Sequence, residues 1–431
     1  MDQTAGFAAG SWLVRQTARV KTVLIRSSMQ LNSSLRSTGA LTLSNPVKIH
    51  LAQRVKEITP FLAMEIMERA KALEAEGREI IYLCLGEPDF PTPEPIVRTA
   101  HDAMLAGETL YTHSLGRLEL REALAEHYQN RYQVTVDPDQ IIVSSGTSPL
   151  MLLLFAALCN PGDEVILTDP CYACYPNFIR FVDAEPRFLR TRPEQGFQPQ
   201  PDDVRALIND RTRALLINSP ANPAGSVLSR DELKKLAELP IPVISDEIYH
   251  GLTYEGEEHS ILEFTENAFV FGGFSKAYAM TGWRLGYLIA PKSAVRALQT
   301  FHQNIVISAN SFVQLAGVTA LREGEPYVAA MRAEYDRRRR HLIPRLEEIG
   351  LRVHTRPVGA FYVLADARHI SLDSLSLAKE ILEATGVALT PGVDFGQGAE
   401  GFLRFSYANS MENLDKAVER LADFFRQRGW L

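Results

Sequence analysis

Cysteine, long apolar stretches and excess positive charge are all scarce in this 431-residue chain. Its four cysteines are too few for a disulfide framework and fit a reducing compartment. The longest apolar run, residues 149–158, is shorter than the ~20 residues that a membrane-spanning helix needs. A net charge of −7 and a pI near 5.9 argue against a nucleic-acid partner, because phosphate backbones bind basic surfaces. We therefore expect neither a membrane nor a nucleic acid as a partner.

Acidic residues are almost absent from the first 46 residues, where Asp2 is the only acid before Glu57. Basic residues lie there among many Ser, Thr and Leu residues: Arg15, Arg19, Lys21, Arg26 and Arg36. This composition is typical of an organelle transit peptide, but also of a poorly ordered extension or of a start site assigned too far upstream. We expect a cytoplasmic protein, with a mitochondrion or plastid as the alternative if residues 1–46 are a transit peptide.

The middle of the chain alternates short β-branched runs with helical patterns. After a helix over 58–76 and a strand over 80–85, strands are predicted over 141–145, 164–168, 214–218, 242–246, 268–272 and 285–290. Helices are predicted over 147–159, 202–208, 229–238 and 292–305. This alternation predicts an α/β fold whose mostly parallel central sheet is sandwiched by helices.

Beyond about residue 320 the pattern indicates a smaller α+β domain. Helices are predicted over 326–348, 374–385 and 411–428, with strands near 352–355 and 360–365. The four arginines at 337–340 are expected to face solvent from the first of these helices. We divide the chain into an extension (1–46), an arm with part of the small domain (47–95), a large domain (96–320) and a small domain (321–431).

Several predicted strands end on residues that suit a binding site, and ligands of open α/β sheets gather beyond the carboxyl ends of strands. The segment 145–148, Ser-Gly-Thr-Ser, opens an apolar helix and fits either a phosphate cradle or an ordinary helix start. Asn222 lies in a turn after the third strand. Asp246 ends an almost apolar strand, where a carboxylate needs a cation or hydrogen-bond donors.

Lys276 follows another buried strand, amid Gly, Ser and aromatic residues. An isolated lysine usually faces solvent, but desolvation or a neighbouring cation lowers the amine pKa and makes the amine able to form an imine. Arg284, eight residues further on, can supply that cation and also bind a phosphate.

Three segments in this order resemble the class I/II aminotransferases of the pyridoxal phosphate (PLP) fold type I. They are Asn222-Pro-Ala-Gly, Asp246-Glu-Ile-Tyr249, and Ser275-Lys276 followed by Gly282-Trp-Arg284-Leu-Gly. The early family motif corresponds to Leu85-Gly86-Glu-Pro-Asp-Phe and the late one to Arg404-Phe-Ser-Tyr. The resemblance covers residues 50–431, and it implies an enzyme of amino-acid metabolism, a transaminase that moves amino groups between L-amino acids and 2-oxo acids.

The resemblance also implies a role for each matched residue. Lys276 would hold PLP as a Schiff base and shuttle the Cα proton, and Asp246 would pair with the pyridine nitrogen. Tyr249 and Asn222 would hydrogen-bond the phenolic oxygen of the ring. The phosphate would be held by Ser145, Gly146, Thr147, Ser275 and Arg284. Tyr172 would stack on the ring, and Arg404, with Asn222 and the Gly86 backbone, would bind the substrate α-carboxylate. Tyr111 would reach the phosphate of a neighbouring subunit in a homodimer.

The substrate side chain and the outcome of the reaction remain open at this point. Some bacterial aspartate aminotransferases of the family carry a lysine where this chain has Thr147. Aspartate and smaller or apolar amino acids are therefore all candidates, with glutamate and 2-oxoglutarate the usual partner pair. A carbon–sulfur β-lyase is the first alternative function, and a non-catalytic PLP-binding sensor domain is the second. No metal site is expected, because the Cys171 and Cys174 pair has no second pair.

Overall fold

A computed structural model of the chain describes residues 49–431, and Gln53–Leu431 form one compact unit. The extension over 1–46 lies outside the described residues. In chain order the helices are α1 (Leu62–Ala75), α2 (Glu94–Leu105), α3 (Leu118–Tyr132), α4 (Thr147–Leu158), α5 (Tyr175–Phe181), α6 (Pro201–Leu207), α7 (Arg230–Ala237), α8 (Lys292–Ile305), α9 (Ser311–Glu323), α10 (Glu325–Glu348), α11 (Ser374–Thr385) and α12 (Met411–Arg428). Within this described range no helix is both long and apolar enough to cross a membrane.

The strands form one large sheet and two small ones. They are β1 (Ile81–Tyr82), β2 (Ile141–Ser144), β3 (Glu164–Asp169), β4 (Glu185–Arg190), β5 (Thr212–Asn218), β6 (Val243–Asp246), β7 (Ala268–Gly273), β8 (Gly286–Ile289), β9 (Tyr362–Asp366), β10 (Val387–Ala388), β11 (Thr390–Pro391) and β12 (Phe402–Ser406). The large sheet has the order β2-β8-β7-β6-β5-β3-β4, and only β8 runs antiparallel to its neighbours. The expected mostly parallel, helix-covered sheet is therefore confirmed.

Helices cover both faces of the large sheet because alternate strand residues point to opposite sides. In β2, Ile141 and Val143 pack with residues of α2, α3 and α9, whereas Ile142 packs with residues of α4 and α5. Strands buried on both faces read as continuous apolar runs, which is why the sequence revealed most of them.

The C-terminal part of the chain builds its own core on two small sheets. Strand β1 pairs in parallel with β10, so residues 81–82 join this part rather than the large sheet. Strand β12 lies between β11 and β9 and is antiparallel to both. The prediction of a strand near 352–355 was wrong, because only a single bridge, from Arg352 to Asp366, forms in this segment.

Parallel pairing brings the ends of the central strands to one edge of the large sheet. Asn218 at the end of β5 is in register with Asp246 at the end of β6, which is in register with Phe271 of β7. The chain then leaves β7 through Ser275 and Lys276. This edge is where the candidate site lies.

Candidate active site

A cavity of about 320 Å³ opens at the carboxyl ends of β5, β6 and β7. It brings together most of the site residues predicted from the sequence: Gly86, Thr147, Tyr172, Asn222, Asp246, Tyr249, Ser275, Lys276, Arg284 and Arg404. Ser145 and Gly146 lie in the turn between β2 and α4 and do not line the cavity. Tyr111 lies on the surface, 81% exposed, and does not line the cavity of its own chain.

The amine of Lys276 faces this cavity and is partly buried. Its Nζ donates a hydrogen bond to the carbonyl oxygen of Gly86 at 2.6 Å. Desolvation lowers the pKa of Lys276 to about 8; Arg404 and Arg284 lower it too, whereas Glu87 raises it. A larger share of the amine is therefore neutral near pH 7 than for a solvated lysine, and a neutral amine is the nucleophilic form.

The carboxylate of Asp246 is buried beside this amine-bearing segment. Tyr175 donates a hydrogen bond from its hydroxyl to Asp246 Oδ2 at 2.6 Å, and the Ile248 backbone N–H donates to Oδ1 at 3.1 Å. Burial raises the pKa of Asp246 to about 6, although the hydrogen bond from Tyr175 lowers it. A buried carboxylate held by two neutral donors is suited to bind a cationic group.

Arg404 is a buried cation, 2% exposed, on β12. Its Nη1 donates to Asn222 Oδ1 at 2.9 Å, and its Nη2 donates to the Cys84 carbonyl oxygen at 2.7 Å and to Thr390 Oγ1 at 3.1 Å. All three acceptors are neutral. Among residues 49–431 no carboxylate lies within ion-pair distance of Arg404, and its buried Nε has no hydrogen-bond partner.

Two aromatic rings hold the Arg404 guanidinium in place. Its Cζ lies 4.3 Å from the ring centroid of Tyr362 and 4.9 Å from that of Phe395. Tyr362 also shares a 2.8 Å hydrogen bond between hydroxyls with Tyr249. The cation is thus fixed by stacking and desolvated, and the described part of the chain provides no counterion for it, which is the arrangement that favours an anionic ligand.

The start of α4 offers backbone donors to an anion. Gly146 precedes the helix with φ 91°, and no side chain caps the helix N-terminus. A Cβ atom at Gly146 would lie 2.5 Å from Arg284 Nη2, so glycine is what allows the guanidinium to sit against this turn. Arg284 itself is exposed and donates from Nη1 to the Thr281 carbonyl at 3.0 Å. Free N–H groups beside an arginine form a phosphate-binding arrangement.

Sequence reasoning assigned no role to Tyr175, Asn218 and Tyr362, all of which line the cavity. Tyr175 starts α5 three residues after Tyr172, and the two rings meet edge-on at 5.2 Å. The side-chain amide of Asn218 donates to the Asp246 carbonyl at 2.8 Å, and its oxygen accepts from the Asn222 backbone N–H at 2.8 Å. Asn218, at a strand end, could have been found by the argument that selected Asp246, but Tyr362 carries no local signal.

Comparison with known proteins decides what kind of enzyme carries this site. The family model for aminotransferase class I and II matches residues 78–421. This chain belongs to the class I and II aminotransferase family.

Relatives and solved structures agree with this assignment over most of the chain. The (5-formylfuran-3-yl)methyl phosphate transaminase of Methanocaldococcus jannaschii is 40% identical over 382 residues, which are 88% of this chain and 100% of the relative. The aspartate/prephenate aminotransferase of Thermus thermophilus is 40% identical over 380 residues, 86% of this chain and 98% of the relative. The structure of a Thermus thermophilus aspartate aminotransferase with maleate has a TM-score of 0.84 and 40% identity, covering 87% of this chain and 100% of that chain.

The protein is therefore a PLP-dependent aminotransferase with the fold type I architecture. Its substrates are amino acids and 2-oxo acids. These relatives are named as aminotransferases or transaminases, so the lyase and sensor alternatives are not favoured. The cavity of this aminotransferase fits PLP in its chemistry: it holds an amine, a buried carboxylate, and an arginine beside an uncapped helix start.

Proposed function

We propose that Lys276 binds the cofactor of this aminotransferase and moves the proton at the substrate Cα. The observation that carries this is the partly buried amine, whose pKa is lowered to about 8 by desolvation. When bound, PLP supplies an aldehyde for the amine and a pyridine ring that accepts the electrons released at Cα. A lysine with this pKa can both accept and donate a proton near neutral pH, as general acid–base catalysis requires.

Asp246, Tyr249 and Asn222 serve to fix the electronic state of the ring. With PLP bound, the buried Asp246 carboxylate would pair with the ring nitrogen and favour its protonated form, because the hydrogen bonds that this carboxylate accepts within residues 49–431 come from neutral donors. Tyr249 and Asn222 would supply hydrogen-bonding groups for the phenolic oxygen, and Tyr172 would pack against the ring. What supports these roles is that all four side chains line one cavity together with Lys276.

The phosphate group belongs at the start of α4. Thr147 and Ser275 line the cavity there, Arg284 contacts the turn, and Ser145 and Gly146 form the turn itself. Backbone N–H groups at an uncapped helix start and a nearby guanidinium both favour an anion.

Arg404 binds the α-carboxylate of the substrate, assisted by Asn222 and the backbone of Gly86. A carboxylate can accept two parallel hydrogen bonds from a guanidinium, and the buried Nε of Arg404 has no partner in the described range. A carboxylate would supply the charge that the three neutral acceptors around Arg404 do not.

We further propose that the enzyme is a homodimer with shared active sites. Leu110 and Tyr111 are each 81% exposed, which is unusual for neighbouring apolar residues. Exposed Ile305 and Ile307 lie nearby, since the Thr112 backbone N–H donates to Ser308 Oγ at 3.3 Å. We infer that Leu110, Tyr111, Ile305 and Ile307 contribute to one apolar surface, here called the 110/305 surface. Burial of this surface would bring Tyr111 toward the phosphate of the partner.

Two further expectations continue as proposals. We propose the cytoplasm as the location, because all four cysteines are free thiols, as in reducing compartments; an organelle is the alternative. We also propose a large domain over 96–320 and a small domain over 321–431 joined by part of 47–95. The pairing of β1 with β10 supports assigning that N-terminal segment to the small domain.

Borohydride trapping and half-reaction assays test the proposed chemistry. Purified protein with PLP should be reduced by borohydride to a stable adduct whose mass maps to Lys276, and Lys276→Ala should give none. A panel of amino acids should be converted to their 2-oxo acids without release of ammonia. Release of ammonia together with pyruvate from a sulfur amino acid such as cysteine would favour the carbon–sulfur lyase instead, and an adduct on a different lysine would refute the assignment to Lys276.

A further inference from the structure

Within residues 49–431 of one chain, the cavity offers no cation beyond those that the proposed function uses. The basic side chains that line it in the described range are those of Lys276, Arg284 and Arg404. The proposed function uses all three, for the amine, the phosphate and the α-carboxylate. Thr147, at the start of α4, is neutral. A buried substrate carboxylate without a partner is strongly disfavoured, so an acidic side chain would be poorly bound.

An acidic residue at the mouth of the cavity adds to this bias. Glu87 lines the cavity, and its carboxylate accepts a hydrogen bond from the Thr281 hydroxyl. The charge of Glu87 acts on Lys276, raising its pKa, which places the acid near the reacting amine. A second carboxylate on the substrate would meet this like charge, and like charges in close contact disfavour ionisation or binding.

Several apolar side chains also line the cavity. Phe61, Ala63 and Met64 line it from the start of α1, and Leu85 and Met151 line it from elsewhere. These apolar side chains form a wall that offers contacts of the kind that bind aliphatic and aromatic side chains.

The apolar wall is fixed rather than loosely placed. Both carboxylate oxygens of Asp394 accept hydrogen bonds from the start of α1, from Leu62 N at 2.9 Å and from Ala63 N at 3.0 Å. Phe61 meets the Tyr172 ring edge-on at 6.1 Å. Asp394 also neighbours Phe395, which stacks on Arg404. The same turn thus holds both the apolar wall and the proposed α-carboxylate site.

We propose that this aminotransferase prefers amino acids and 2-oxo acids that carry one carboxylate and an apolar or aromatic side chain, and disfavours dicarboxylic ones. This inference rests on the proposed roles of Lys276, Arg284 and Arg404. It selects among the substrates that the sequence left open, and it places aspartate and glutamate among the poor ones.

Half-reaction kinetics with the PLP-loaded dimer or monomer, whichever forms, test the preference. We expect kcat/KM for phenylalanine, methionine or leucine to exceed that for aspartate and glutamate by about tenfold or more. A kcat/KM for aspartate or glutamate that exceeds the values for the apolar substrates would overturn the inference. This holds whether the cation that binds the second carboxylate belongs to this chain or to a partner. Absence of turnover with every amino acid would instead refute the proposed function itself.

A matched pair of variants at the cavity mouth separates charge from shape. Met64 is exposed, lines the mouth and has no role in the proposed chemistry. Met64→Lys should raise kcat/KM for aspartate by about tenfold, as a new charge pair at a partly desolvated site would. Met64→Gln, similar in length but neutral, changes the shape and polarity of the wall without adding charge, so its aspartate value should lie well below that of Met64→Lys. An equal gain in both variants, or none in Met64→Lys, contradicts the charge argument.

The contribution of Phe61 to substrate binding can be tested separately. Phe61→Ala should lower kcat/KM for phenylalanine by about tenfold or more while changing that for alanine by less than about threefold, because only the larger side chain reaches the wall. The loss should fall mainly in KM. An equal loss for both substrates would mean that Phe61 supports the fold and does not bind the side chain, and this part of the inference would fail.

Discussion

Among single residues, burial changes the acid–base chemistry of Lys276 and Asp246 in opposite directions. Desolvation disfavours the charged form of each group, so it lowers the pKa of the amine to about 8 and raises that of the carboxyl to about 6. Both values lie close to neutral pH, where small changes in the surroundings alter protonation most. The same burial that brings these pKa values close to neutral pH also lowers the free energy of unfolding.

Replacing Lys276 should stabilise the cofactor-free protein while abolishing activity. Below pH 8 the amine is protonated in both folded and unfolded states, so the folded state bears the full desolvation penalty. The penalty fades as pH rises from about 8 to the unfolded value near 10.5. Lys276→Met should therefore increase the free energy of unfolding at pH 7 by about 2 kcal/mol, with the gain disappearing above about pH 10.

Urea unfolding of the cofactor-free protein at several pH values measures this effect. Lys292 is the control, since it is exposed and pairs with Asp137 at 2.9 Å. Lys292→Met should change stability by less than about 0.5 kcal/mol at pH 7. A Lys276→Met protein that is less stable than wild type at pH 7 would contradict the desolvation argument.

The hydroxyl of Tyr175 should hold the pKa of Asp246 down. Its hydrogen bond to Oδ2 favours the ionised carboxylate, so removing it lets burial raise the pKa of Asp246 further. Tyr175→Phe should move the acidic limb of the pH profile of kcat/KM upward by about one pH unit, because a bond to a charged group is worth ~1.5–3 kcal/mol.

A second buried tyrosine controls for the general loss of a hydroxyl. Tyr128 shares a 3.3 Å hydrogen bond with the Tyr287 hydroxyl and does not line the active-site cavity. Tyr128→Phe should leave the acidic limb in place. If both variants move the limb equally, the effect belongs to global stability and not to Asp246.

On the scale of helices and strands, α10 shows where pattern reasoning fails. The prediction that arginines 337–340 all face solvent was wrong, since Arg338 is 6% and Arg339 4% exposed. Both lie on the helix face of buried Tyr335, three and four residues away. Arg338 Nη1 donates to both oxygens of Asp89 at 2.8 Å. Partners that are distant in the sequence, such as Asp89, stabilise these buried cations, and the local pattern could not reveal them.

Arg338 should anchor the loop that carries Gly86 to α10. Its guanidinium lies 5.3 Å from the ring of Phe90 and bonds Asp89, both within that loop. Arg338→Met removes the buried cation that bonds Asp89 and Glu334 and should lower the free energy of unfolding by about 1–2 kcal/mol. It should also raise KM, because Gly86 assists substrate binding in the proposed function.

The neighbouring Arg337 gives a control with the same chemical change. Arg337 is exposed and, among residues 49–431, its side chain bonds only Glu334 on its own helix, at 2.7 Å. Arg337→Met should shift stability by less than about 0.5 kcal/mol in urea unfolding and leave KM unchanged. Similar losses for the two variants would refute an anchoring role for Arg338.

Most helices and strands were predictable, and the missed ones share physical reasons. The predicted bounds of α8, α11 and α12 match the observed ones. Strand β4 was missed because it lies at the sheet edge and its sequence, Glu-Pro-Arg-Phe-Leu-Arg, is mostly exposed. Helix α3 was missed because its polar sequence buries Arg121 and Tyr128 through contacts that only the fold supplies. Helices α2, α5 and α9 were also not predicted.

For the molecule as a whole, the 110/305 surface should decide assembly and activity together. Leu110→Asp combined with Ile305→Asp places two charges on an apolar surface and should give a monomer in sedimentation velocity. Activity should fall by about a hundredfold or more, because Tyr111 could no longer reach a partner's phosphate.

An exposed leucine elsewhere controls for added charge. Leu372 is 70% exposed in the loop before α11. Leu372→Asp should preserve both the oligomeric state and kcat/KM. A fully active monomeric double variant would refute the shared active site, and a dimeric one would place the interface on another surface.

The sequence by itself predicted the strand-end residues that the proposed chemistry of this aminotransferase uses. Lys276, Asp246 and Asn222 could be selected because each follows or ends a strand, and parallel strands bring their carboxyl ends to one edge. Tertiary structure alone decided the setting of Arg404, whose contact with Asn222 joins residues 182 positions apart. It also decided the Tyr175 bond to Asp246 and the Tyr362 stack on Arg404. Periodicity reports which segments form elements, whereas desolvation and partner choice depend on groups that meet only after the chain has folded.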